Sequence, residues 1–171
     1  LSSAAFFFPF NCIEVSSWPK KEVPETNVAK AHAVWEGAEC SRITTPSGQT
    51  LYIDSPAYAG GEPKGPAPTE MMMCAYAGAT AMLLYRITQG MGITIHELEV
   101  DARGTYSPRG IAGAEGYHPC YTEVEVDIKI RTDAASDQIE QIKFERRLRC
   151  PSYGVLAASG AEMKENWDVS S

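Results

Sequence analysis

An α+β fold, with antiparallel sheet around one long buried helix, is predicted by three features of this 171-residue sequence. Between Met71 and Tyr85 there is no charged side chain, so a helix there is apolar on every side. Tyr121 to Arg131 alternates strictly, with Val124, Val126, Ile128 and Ile130 on one face and Glu123, Glu125, Asp127 and Lys129 on the other. That period of two marks a half-buried strand. The segments then order as strands, helix, strands, helix and a last strand, a sequence typical of α+β domains.

Taken in order, residues 1–29 are expected to be an arm or lead-in to one domain spanning 30–171. The first ten residues are apolar but carry no basic n-region, so a secretory signal is not supported. They are either extraneous to the fold or an arm that docks on it. Ala31, Ala33 and Trp35 alternate with His32, Val34 and Glu36, predicting a strand that ends at Gly37. Residues 41–45 and 49–54 flank a Pro46-Ser47-Gly48 turn and predict a hairpin. A Gly/Pro-rich loop over 56–67 leads into the long helix.

Pro68 suits the first helical position, Glu70 complements the positive end of the helix dipole, and Gly90 and Gly92 offer left-handed stops. A helix without a polar face must be covered all round, within a domain or between two subunits. It does not predict a membrane span, since fifteen residues rise roughly 22 Å against a ~30 Å hydrocarbon core. Residues 93–102 predict a strand and 103–120 a long Gly-rich connection. Asp133 or Ser136 is expected to cap a second helix running to about Arg149, with Ile139, Ile142 and Arg146 along one stripe. Pro151 opens a short helix to about Ala158, and 162–169 predict a final strand.

The composition, 44% apolar and 22% charged, is that of an ordinary globular protein. A net charge of −7 argues against nucleic acid or an anionic membrane as partner. Five cysteines (Cys12, Cys40, Cys74, Cys120, Cys150) form neither a zinc pattern nor a disulfide framework, so a reducing, cytoplasmic setting is expected. Three histidines without metal-ligand spacing predict no metal site, and no cofactor motif is present.

Several local motifs, in this order, resemble the OsmC/organic-hydroperoxide-resistance family. They are Trp35-x-Gly37 in the opening strand, Gly60-Gly61, and Gly65-Pro66-x-Pro68-x-Glu70. Pro108-Arg109-Gly110-Ile111-x-Gly113, Asp133-Ala134 and Arg147-x-x-Cys150-Pro151-x-Tyr153 complete the set. The resemblance covers about residues 30 to 169. It implies an intertwined homodimer with the long helices buried together and the active sites at the subunit interface. It also implies thiol-dependent reduction of organic hydroperoxides in the oxidative-stress response. One helix cysteine is oxidised to a sulfenic acid, a second closes a disulfide, and a dithiol reductant restores both.

In that family the first cysteine lies eleven residues after the helix-opening proline, which here is Ala79, while Cys150 matches the second. An alanine cannot be oxidised by peroxide, so the two-cysteine cycle cannot run in this chain. Cys74, five residues earlier and about 140° round the helix, is expected to be a core residue rather than a substitute. Cys150 precedes a helix-opening proline and follows Arg146, Arg147 and Arg149, features that favour a thiolate, so it is expected to alkylate first. The resemblance also implies that Glu70 helps hold a pocket arginine, for which Arg42 is the nearest candidate.

Three functions stay open. The chain is a thiol peroxidase, with a cysteine belonging at position 79 or with Cys150 carrying a one-cysteine version. Alternatively it is a diverged enzyme using Glu70, Tyr76, His118, Cys120, Cys150 and Tyr153 for non-redox chemistry on a small apolar molecule. The third is a non-catalytic binding dimer. His118 serves Cys120 as a base only if the turn brings them together; otherwise both face solvent.

Overall fold

A computed structural model describes residues 23–62 and 64–171; the apolar first ten residues and Cys12 lie outside that range. Three short strands, β1 (His32–Gly37), β2 (Cys40–Thr44) and β3 (Thr50–Ile53), form one antiparallel sheet in that order. A 3-10 turn (Ala57–Ala59) and a Gly/Pro loop then lead to the long helix α1 (Pro68–Gly90). Buried Asp54 pins that loop, its carboxylate accepting from Ser55 N–H at 2.8 Å and Lys64 N–H at 3.3 Å.

The rest of the chain builds a second sheet and its cover. β4 (Ile95–Tyr106) and β5 (Tyr121–Thr132) are joined through a short helix, α2 (Pro108–Ile111). Two helices, α3 (Ser136–Arg149) and α4 (Pro151–Ala158), then lead to β6 (Glu162–Ser170). β5 is central, antiparallel to β4 and parallel to β6. The expected antiparallel pairing holds for β1–β2–β3 and β4–β5, while β6 runs parallel because the α3–α4 crossover returns the chain to the starting end.

The core lies between this sheet and α1 with α3. Leu83, Leu84 and Ile87 of α1 meet Val124, Val126 and Ile128 of β5 and Ile139 and Ile142 of α3. Each such side chain contributes about 1.5–3 kcal/mol when fully buried. The chain by itself covers only this side of α1. Met72, Ala75, Gly78, Met82 and Tyr85 stay exposed at three- and four-residue spacing, an apolar stripe along the opposite face.

Local chemistry explains the boundaries. Pro68 is at the start of α1, and Glu70 reaches back to accept Ala67 N–H at 2.8 Å. At the other end Gly92, not Gly90, takes the left-handed conformation, and Ile93 N–H returns to Thr88 O at 2.9 Å. Neither Asp133 nor Ser136 caps α3. Ala135 precedes it, Gln138 accepts Ala135 N–H at 2.8 Å, and Asp133 instead receives Thr94 N–H at 2.8 Å.

β4 extends to Tyr106, so part of the expected 103–120 connection is strand. Gly104 belongs there because the Tyr121 ring fills the space of its missing side chain; a Cβ on Gly104 would lie 2.5 Å from a ring carbon. Tyr121 cannot swing away freely, since its hydroxyl donates to Thr69 O at 2.8 Å. Gly104→Ala is therefore expected to cost about 1–3 kcal/mol as overpacking. A urea midpoint equal to that of the unaltered chain would refute this packing.

Candidate functional site

Cys150 sits at the junction of α3 and α4, only 3% exposed, where its sulfur caps α4 by accepting Tyr153 N–H at 3.5 Å. Its own N–H donates to Arg146 O at 3.0 Å, one turn back on α3. Arg146 has no exposed surface, as expected of the third member of a stripe begun by Ile139 and Ile142. Its Nη1 donates to Tyr76 Oη at 3.1 Å, its Nη2 pairs with Glu165 of β6, and its guanidinium lies 5.1 Å from the Tyr153 ring centre. Burial opposes ionisation of the Tyr76 phenol, partly offset by Arg146 and reinforced by Glu165 and Cys150. Tyr76, Arg146 and Cys150, all buried, thus form one cluster with the partly buried Tyr153 and Glu165.

Of the three arginines before Cys150, Arg146 and Arg147 share Glu165, and Arg149 is engaged elsewhere. Arg147 faces outward and bonds Glu165 at 3.0 Å, while Arg149 pairs with Glu145 at 2.7 Å. Arg146 and Glu165 are the functional candidates that motif reading did not nominate. Their signal was an arginine at a core position of an amphipathic helix, which demands a buried partner.

Ala79 lies one turn beyond Tyr76 and is packed, half-buried, against the core cluster that contains Tyr76, Cys150 and Leu156. Cys74, expected in the core, is exposed in the single chain. With Glu70, one turn earlier, it lines an open groove of about 670 Å³ between α1 and β4, whose apolar wall includes Met73, Val100 and Tyr106. Arg42 is not brought to Glu70 in this chain. Its guanidinium bonds Glu36 at 2.5 Å on the neighbouring strand, while Glu70 is held by the backbone of Ala67.

His118 and Cys120 both lie exposed in the 107–120 loop. Cys120 N–H donates to His118 Nδ1 at 3.3 Å, so the turn engages that ring nitrogen with backbone. Cys120 also lines an apolar cavity of about 250 Å³ with Met72, Val155 and Leu156. Burial in the single chain favours a different order of reactivity from the one expected from the sequence. Limited iodoacetamide treatment is expected to modify Cys120 and Cys74 before the buried Cys40 and Cys150. Peptide mapping that finds Cys150 modified first would contradict this burial.

Comparison with known proteins follows the same lines. A family model described as OsmC-like protein matches residues 61–166. An OsmC-like protein from Mycoplasma pneumoniae is similar in fold at 17% identity and TM-score 0.70, over 85% of this chain and 99% of that one. An organic hydroperoxide resistance protein from Elizabethkingia anophelis gives 17% identity and TM-score 0.61, over 86% and 99%. One named organic hydroperoxide resistance protein OsmC, from Legionella pneumophila, gives 15% and 0.58, over 85% and 98%. No curated protein matches the chain. Among the described residues no helix is long and apolar enough to cross a membrane.

Proposed function

The chain belongs to the OsmC-like protein family, and from that premise we propose that it handles small apolar hydroperoxides as a homodimer whose two-thiol cycle is interrupted at Ala79. One observation carries this reading. Cys150 keeps a built, buried seat among Tyr76, Tyr153 and Arg146, while the partner position one turn beyond Tyr76 holds only a methyl group. In the complete cycle a thiolate at that position attacks the O–O bond, forming S–OH and releasing the alcohol. The Cys150 thiol then displaces water to give the disulfide, and a dithiol reduces it. The unaltered chain is expected to consume an organic hydroperoxide with dithiothreitol slowly or not at all. Rapid turnover would overturn the interruption, and its loss on Cys150→Ser but not Cys74→Ser would identify the working thiol.

A second reading, non-redox chemistry or simple binding of a small apolar molecule, is favoured by the α1–β4 groove. Its lining sets apolar Met73, Val100 and Tyr106 beside the charged Asp101 and Arg103, with Glu70 and the Cys74 thiol on the α1 wall. Saturable binding of an apolar fluorescent probe, displaced by small hydroperoxide analogues and weakened by Met73→Trp, would support it.

The homodimer is supported by the uncovered stripe Met72, Ala75, Gly78, Met82 and Tyr85, whose small members let another backbone approach. The free thiols of Cys40, Cys74, Cys120 and Cys150 fit a reducing compartment. Sedimentation at submicromolar concentration is expected to give a dimer. A folded 18.6 kDa monomer there would remove the intersubunit site from this reading.

A further inference from the structure

We propose that Arg146 is the positioning residue of the Cys150 thiol, its buried guanidinium held in place by Tyr76 and Glu165 to prepare that sulfur for chemistry. The observation is the cluster itself. A fully buried cation has been fixed from three elements, with Tyr76 of α1 accepting from Nη1, Glu165 of β6 pairing with Nη2, and the Tyr153 ring of α4 lying 5.1 Å from Cζ. Its Nε is buried without a hydrogen-bond partner, which leaves one donor of the fork uncommitted. A buried N–H of that kind costs stability unless something accepts from it.

The sulfur lies within the same walls. Tyr153 donates its N–H to Sγ, and Cys150 is near enough to oppose ionisation of the Tyr76 phenol. The charged and titratable groups of that cluster are Arg146 of α3, Glu165 of β6, Tyr76 of α1 and Tyr153 of α4, with Arg147 also on Glu165 and the Arg149–Glu145 pair just before Cys150 on α3. A cation in a poorly solvated site favours a thiolate over a thiol, and it favours the oxygen anion of a sulfenate in the same way. Glu165 opposes that effect while orienting the guanidinium. The balance between them sets how readily Cys150 reacts.

The inference deepens the function proposed above, but its test uses no peroxide and so can fail separately. The rate of Cys150 alkylation by iodoacetamide is followed by mass spectrometry in the folded chain from about pH 6 to pH 10, bracketing the ~8.5 of a free thiol. Glu165→Gln keeps the hydrogen-bonding shape but removes the negative charge. It is expected to move the rate profile to lower pH and raise the rate near neutrality roughly three- to tenfold. Arg146→Met is expected to move the profile to higher pH, and Arg146→Lys to bring it back toward the unaltered chain. Mere loosening would raise rates at every pH without moving the midpoint. Should Arg146→Met not fold, Glu165→Gln decides alone: an unmoved midpoint, or one moved to higher pH, overturns the proposal.

Discussion

Ala79→Cys is expected to raise dithiol-dependent consumption of an organic hydroperoxide by at least about 100-fold, equivalent to about 3 kcal/mol off the barrier. The substitution adds one sulfur atom at a half-buried position, so overpacking is expected to cost less than ~1.5 kcal/mol. The chemistry it supplies is the one the chain lacks, a thiol on the central helix one turn from Tyr76 and packed on the cluster that holds Cys150. Two further variants separate the steps. Ala79→Cys with Cys150→Ser should still cleave one equivalent of peroxide, stopping at a sulfenic acid that a carbon nucleophile such as dimedone traps. Ala79→Cys with Cys74→Ser should keep full turnover, because Cys74 faces the α1–β4 groove instead. A folded Ala79→Cys protein with no gain would show that the peroxide site has diverged beyond a single residue.

Much of the fold was legible because its signals are local. Pro68 and Glu70 announce the start of α1, and the alternation of Val124, Val126, Ile128 and Ile130 fixes β5. What was missed depends on partners distant in sequence. Gly104 and Arg103 read as loop, yet the Tyr121 ring occupies the space over Gly104, and Arg103 bonds Glu125 across the strand pair at 3.0 Å. Strand periodicity carries no direction, so the parallel run of β6 became apparent only with the crossover in place.

The candidate site divides the same way. Ala79 and Cys150 were found by resemblance to a motif. Helical spacing correctly separated Cys74 from position 79, but not whether that face would be covered. Arg146 was visible as an arginine on an apolar stripe. Its partner Glu165, 19 residues further on in another element, is not predicted by any period. Arg42 shows the converse: a residue nominated by family analogy lies beside Glu36 in this chain, because β1 pairs with β2 and brings Val34 opposite Arg42.

Arg146→Ala is expected to destabilise the fold by about 3–5 kcal/mol, the cost of breaking a buried ion pair from one side. The loss has three parts. Glu165, 7% exposed, would keep as charged partner only Arg147, whose side chain is 48% exposed and approaches from the surface at 3.0 Å, beside the Trp167 indole N–H donating at 3.3 Å. Tyr76 would lose the donor to its buried hydroxyl, and Tyr153 the cation over its ring, the latter worth roughly 0.5–2 kcal/mol. Arg147 keeps Glu165 from being wholly unpaired, so the lower half of the range is the expected one. The double variant Arg146→Met with Glu165→Gln removes both charges and restores apolar volume, and it should recover most of the loss, since a buried pair adds little over its apolar replacement. Urea midpoints at one fixed protomer concentration measure Arg146→Ala, the double variant and its two single parents on the same footing. The coupling between the two positions then separates a charge effect from a packing effect. If Arg146→Ala costs less than ~1 kcal/mol, the guanidinium is not the cornerstone of the cluster, and the seat of Cys150 must be held by the tyrosines alone.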